Sequence, residues 1–159
     1  MINRKRILPT AVAITAVVAG SATAYAGYDA GLFSQPQSTY EAAVKTSGNY
    51  YYLAAASSSY NSLAYALGDT SNWVWPWGSS NPTSAQVDTY LSGRGYTTTT
   101  TASEVKIISY GTSSSIGHFG KPSDVNYVNA KWGQLERLQS LNWDPYNTSS
   151  YGAKVKTYK

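Results

Sequence analysis

The spacing of apolar residues changes character near the middle of this chain. Over Asn61–Gly68, Leu63, Ala66 and Leu67 recur at helical spacing. Ser59 or Asn61 can cap the first turn of that helix and Gly68 ends it. A second helix begins at Thr83, where Gln86 completes a Thr-x-x-Gln capping box. Val87, Tyr90 and Leu91 form its buried stripe, and Gly93 with Gly95 stops it. After the run Thr97 to Thr101 the period becomes two. Glu104–Tyr110 reads as a strand, Gly111–Ser114 as a turn, Ser115–Gly120 as a second strand, Lys121–Asp124 as a turn and Val125–Trp132 as a third strand. Leu135–Leu141 reads as a short helix or an irregular arm, and Ala153–Tyr158 as a final strand. Helices followed by strands joined through tight turns predict an α+β domain, with N-terminal helices packed on a C-terminal antiparallel sheet.

Upstream of Tyr60 the pattern is weaker. Pro36 and its polar neighbours read as a loop, Tyr40–Lys45 as a short helix broken by Gly48, Tyr50–Leu53 as an apolar patch, and Ser57–Ser59 as a flexible join. Residues 27–59 are therefore expected to be poorly organised, and residues 60–159 to form a single domain. Trp73-Val74-Trp75-Pro76-Trp77-Gly78 is an aromatic loop, since proline keeps it from being helical.

The first 26 residues have the three parts of a secretion signal. Arg4, Lys5 and Arg6 give a positive start, Ala11 to Gly20 a short apolar stretch, and Ala24-Tyr25-Ala26 a small-x-small cleavage site. The stretch is shorter than the ~20 residues a membrane span needs. Cleavage after Ala26 is expected to leave a mature chain starting at Gly27, with no membrane attachment, that is secreted or associated with the cell wall.

This reading changes the charge. The chain has twelve Lys and Arg against eight Asp and Glu. Three of the positive residues lie in the signal and all eight acids lie beyond it, so nine against eight leaves a net +1. That balance gives no support for nucleic-acid binding. There is no cysteine, hence no disulfide, and a core of this size does not need one. Disulfide-free export fits a bacterium. A single histidine and no cysteine exclude a metal site built on several such ligands. No cofactor motif is present.

Tyr60-Asn61-Ser62-Leu63-Ala64-Tyr65-Ala66-Leu67-Gly68-Asp69 resembles the signature of an uncharacterised family of small bacterial proteins. That signature reads Tyr-Asn-Cys-apolar-Ala-aromatic-Ala-x-Gly-Asp, with tryptophans and proline just downstream. Gly117-His118-Phe119 is similar to that family's histidine strand, Ala130–Glu136 to its Ser-Lys-x-Gly-Gln-x-Glu segment, and Tyr151-Gly152 to its closing Tyr-Gly. The element order resembles papain-like hydrolases of the NlpC type, with a nucleophile at a helix start and a histidine on the following sheet. The resemblance runs from about Tyr60 to the C-terminus. It implies amide or peptide hydrolysis outside the cell, on peptide or cell-wall material. Ser62 would attack, His118 would carry the proton, and the backbone at the helix start would bind the oxyanion.

The family's cysteine is replaced by Ser62, and no other thiol is available. Papain-like chemistry depends on a thiol with a depressed pKa; a serine instead needs a base that removes its proton during attack. Two readings stay open, a serine hydrolase and a catalytically inactive descendant. Each candidate also has a structural reading: Ser62 as a capping hydroxyl, and His118 as a surface strand histidine. If Lys121–Asp124 closes a two-residue hairpin, His118 faces Tyr127 and Asn129 lies diagonally on the same face, which makes Asn129 the candidate for orienting the imidazole. Trp73, Trp75 and Trp77 are either sugar-stacking faces or walls of the core. A rival class follows, an extracellular binding module that uses aromatic residues to hold cell-wall glycan or a protein partner.

Overall fold

In the computed structural model, residues 27–159 are described; the expected signal, residues 1–26, lies outside them. The domain is α+β. In chain order it contains α1 (Gln37–Glu41), β1 (Tyr51–Ala54), α2 (Ser62–Ala66), α3 (Ser84–Ser92), a 3-10 turn (Ala102–Glu104), β2 (Ile107–Thr112), β3 (Ser115–Pro122), β4 (Tyr127–Lys131), β5 (Arg137–Leu141) and β6 (Ala153–Tyr158). The strands form one six-stranded sheet in the order β1-β5-β4-β3-β2-β6, with antiparallel neighbours throughout. The helices are not a separate N-terminal block, because β1 precedes α2 and α3 and lies at one sheet edge.

The local signals explain the two better-marked helices. Asn61 caps α2, its side chain accepting the Ala64 N–H. Thr83 and Gln86 exchange both bonds of the capping box at α3. Burial on one side of each helix then fixes where it lies. Leu63 and Ala66 of α2 and Val87 and Leu91 of α3 share a core cluster with Ile107, Ile116, Phe119 and Tyr158 of the sheet. Alternation along β2 sends Ile107 to this cluster and its neighbours Ile108 and Tyr110 to a second one.

That second cluster recruits the N-terminal segment. Phe33, Tyr40, Ala43, Val44 and Tyr50 are buried there with Tyr110, Val128, Trp132, Leu138 and Tyr146. The segment read as poorly organised is thus tied into the sheet, and two buried charges help to hold it. Lys131 Nζ donates to the Ser57 carbonyl at 2.6 Å and the Gly133 carbonyl at 2.7 Å, and lies 5.0 Å from the Tyr60 ring centroid. Glu136 accepts the Ser34 N–H and the Tyr40 hydroxyl, both at 2.6 Å. Burial pushes the Lys131 ammonium down to about 8, partly countered by the charge of Glu136. Burial alone would raise the Glu136 pKa, but hydrogen bonds from Tyr40 and Ser34 outweigh it and hold the carboxyl below its ordinary value. Further along, Asn147 Nδ2 donates to the Ala42 and Val44 carbonyls, and Lys45 N–H donates to the Pro145 carbonyl.

Two sequence expectations are corrected here. Leu135–Leu141 is neither helix nor irregular arm. Its second part is β5, which pairs β4 through Val128–Ser140 and Ala130–Leu138, and β1 through Tyr52–Leu138. The alternation of buried Leu138 and Ser140 with half-buried Arg137 and Gln139 is a strand pattern, which the helical spacing of Leu135 and Leu138 masks. The strand expected over Glu104–Tyr110 starts later, at Ile107, and continues through Gly111 by way of a bulge. Gly111 has φ +136°, and a Cβ there would lie 2.2 Å from the Ser115 carbonyl oxygen, so only glycine fits.

Candidate functional site

Strands β3 and β4 pair only at Lys121–Asn129 and Pro122–Val128. Continued in the same register, Phe119 would sit opposite Lys131, but the ladder stops and the start of α2 fills the opening. There the Phe119 N–H donates to Ser62 Oγ at 3.2 Å. The hydroxyl takes the place of a strand carbonyl and satisfies a buried backbone donor. Asn61 anchors the same turn to the aromatic loop, its Nδ2 donating to the Val74 carbonyl at 2.8 Å.

His118 precedes Phe119 on β3 and is 1% exposed. Its ring stacks on Tyr151 at 3.9 Å and 23°, and meets Tyr146 nearly perpendicularly at 5.0 Å. Tyr151 can approach because Gly152 packs on Gly111. A Cβ on Gly152 would come within 2.6 Å of Gly111 Cα. His118 Nε2 is buried with no hydrogen-bond partner. Desolvation alone pushes the imidazole pKa down to about 3.

Ser62 and His118 are brought together. Both line a cavity of about 320 Å³ whose other walls are Asn61, Trp73, Trp75, Tyr151 and the glycines Gly78, Gly117 and Gly133. No hydrogen bond between the Ser62 hydroxyl and the imidazole is found: His118 Nε2 has no partner, and Ser62 Oγ accepts from Phe119. Among the described residues no group of three or more His, Cys, Asp or Glu is placed to hold a metal ion. None of their helices is long and apolar enough to cross a membrane.

Asn129 is not brought to His118. It pairs with Lys121, three residues from His118 and therefore on the other face of the sheet, and its Oδ1 accepts Gln139 Nε2 at 2.8 Å. The physical reason is the turn. Asp124 Oδ1 accepts the N–H groups of Asn126 and Tyr127, and the Ser123 N–H donates to the Tyr127 carbonyl. The loop therefore spans Ser123–Asn126 rather than two residues, and Lys121 faces Asn129 instead of Asp124. That displacement of five residues, an odd number, turns Asn129 away.

The tryptophans divide. Trp73 is 48% exposed at the cavity rim. Trp75 lines the cavity, and its indole N–H is taken by the Ser80 carbonyl at 3.2 Å. Trp77 stacks on Phe119 at 6.5 Å and 15° and packs against the core cluster that α2 and α3 share with the sheet. Trp75 and Trp77 stand at 84° to each other, so they do not form a flat platform. Tyr151 was missed as a site residue; the Tyr-Gly pair at 151–152 was the signal that could have found it.

The depressed pKa of His118 has a stability consequence. Above pH 6.5 both folded and unfolded chains hold the imidazole neutral. As pH falls from about 6.5 toward 3, the unfolded chain takes a proton that the folded one refuses, so stability is lost through that window. Between pH 7 and pH 5 this amounts to about 2 kcal/mol, measurable by chemical denaturation and absent in His118→Gln. Because His118 is the sole histidine, its ring nitrogens are directly followed by NMR. An imidazole titrating near its ordinary value in the folded protein would contradict this.

Over residues 51–159, a span that contains Ser62, His118, Tyr151 and the aromatic loop, the chain matches a family described as a domain of unknown function. No curated protein and no solved structure matches it. The chain belongs to that family, DUF7689.

Proposed function

We propose that this is an exported, non-catalytic binding domain on a papain-like, NlpC-type frame, whose pocket holds a ligand without cleaving it. The observation that carries the reading is that Ser62 Oγ accepts the Phe119 N–H while no hydrogen bond joins it to His118. Serine attack needs a base within hydrogen-bond reach, and a third group to orient that base and stabilise the imidazolium formed. His118 has aromatic neighbours where such a group would stand, and Asn129 lies on the other face. An imidazole pushed to about 3 is also a weak base for work near neutral pH. The pocket itself remains open, with aromatic walls and polar groups at its floor, as binding sites generally have.

The NlpC-type frame is supported by the element order and by the meeting of a helix start with a histidine strand. Export is supported by the Arg4–Arg6 start, the apolar stretch and Ala24-Tyr25-Ala26. The protein recovered from culture supernatant should begin at Gly27 by intact mass. A cell-bound form retaining Met1 would overturn export.

The binding reading predicts the behaviour of a thiol placed at the nucleophile position. In Ser62→Cys the new group is buried beside a neutral imidazole, so its pKa stays at or above the ordinary ~8.5. It should react with iodoacetamide more slowly than a free peptide thiol at pH 7, and His118→Ala should leave that rate unchanged. A fast reaction that depends on His118 would contradict the reading and favour a hydrolase.

A further inference from the structure

We infer that the cavity between Trp73, Trp75, Ser62 and His118 takes a single uncharged sugar residue of a glycan. The inference rests on the binding reading above and names its ligand class. Three features of the cavity carry it: its charge, its hydrogen-bonding groups and its size.

No Asp, Glu, Lys or Arg lines the cavity. A carboxylate or phosphate would find no cation and an ammonium no anion, so recognition falls to neutral groups. Two such groups sit at the floor. Ser62 Oγ accepts the Phe119 N–H and keeps its own proton to donate. His118 lines the cavity as an uncharged imidazole, although its Nε2 is sealed inside the protein. A sugar hydroxyl can accept the Ser62 proton, and it can accept from or donate to a neutral imidazole where the ring faces the cavity.

The walls supply the other half of sugar recognition. Trp73 is exposed at the rim, an uncommon position for so large an apolar ring. Trp75 has spent its N–H on Ser80 and offers the cavity only its ring. Flat aromatic rings suit the C–H face of a pyranose, while its hydroxyls meet the polar floor. A quaternary ammonium would also suit aromatic walls, but its cationic centre has no lone pair to accept the Ser62 proton and no anion in the lining. The volume, about 320 Å³, is at the small end of ligand pockets, which span about 300–1,000 Å³. One ring fits that space better than an extended peptide.

The test uses the mature chain and follows the His118 imidazole and Trp73 indole signals by NMR. The probes are glucose and N-acetylglucosamine, their charged relatives glucuronic acid and glucosamine, choline, and blocked trialanine as a neutral peptide. At least one neutral sugar should shift both signals with millimolar affinity or better, and the charged sugars should bind about tenfold more weakly or not at all. Trp73→Ala, an exposed position whose loss leaves the fold intact, should weaken the neutral sugar about tenfold. The free protein's His118 signal should not change in that variant. Binding of choline or the peptide in place of the sugars overturns the ligand class and leaves the binding reading standing. A response to none of the probes overturns the inference. Failure of the binding reading itself would show separately, as fast His118-dependent alkylation of Ser62→Cys.

Discussion

The architecture around the pocket depends on one unfinished pairing. β3 and β4 hold together at Lys121–Asn129 and Pro122–Val128 and then part, which leaves the Phe119 N–H inside the protein without a strand partner. A buried donor left unsatisfied costs about 1–3 kcal/mol. Ser62 Oγ meets that need at 3.2 Å, and doing so fixes where α2 begins. Asn61, one residue earlier, ties the helix start to Val74 and so to the aromatic loop. The cavity is the space left between the parted strands, the helix start and that loop. The same hydrogen bond gives Ser62 a structural task at the position where the family resemblance puts a nucleophile.

The surrounding packing keeps this arrangement in one state. The two core clusters share β2, whose alternate residues face opposite ways. His118 is held among Tyr110, Tyr146 and Tyr151, and aromatic pairs of this kind contribute about 0.5–1.5 kcal/mol each beyond their buried area. The approach of Gly152 to Gly111 sets the Tyr151 ring against His118. Lys131 and Glu136, on the β4–β5 side, reach back to Ser57, Ser34 and Tyr40. They make residues 27–57 part of the domain rather than a tail on it.

Features set by neighbouring residues were legible in the sequence. The Thr83–Gln86 box and the strand Ala153–Tyr158 follow from local chemistry and appear as read, and of the two expected caps, Ser59 or Asn61, the structure uses Asn61. The meeting of Ser62 and His118 at one cavity was suggested by resemblance, and the two do line it together. Asn129 depended on a loop length, and the Asp124 turn changed that length and with it the face. β5 was hidden because Leu135 and Leu138 also fit a helix, and only pairing on both sides decides for a strand. The anchoring of residues 27–59 was illegible because it depends on contacts about a hundred residues away, such as Ser34 with Glu136.

The central claim is that Ser62 serves the sheet rather than a reaction, and amide hydrogen exchange at Phe119 tests it most directly. In the native protein the Phe119 N–H should be protected as strongly as its β3 neighbours. In Ser62→Ala that protection should fall sharply at Phe119 while the β2–β3 ladder, followed at Ile108 and Tyr110, keeps its own. If Phe119 stays equally protected without the hydroxyl, the bond is incidental, Ser62 is free for chemistry, and the account is wrong.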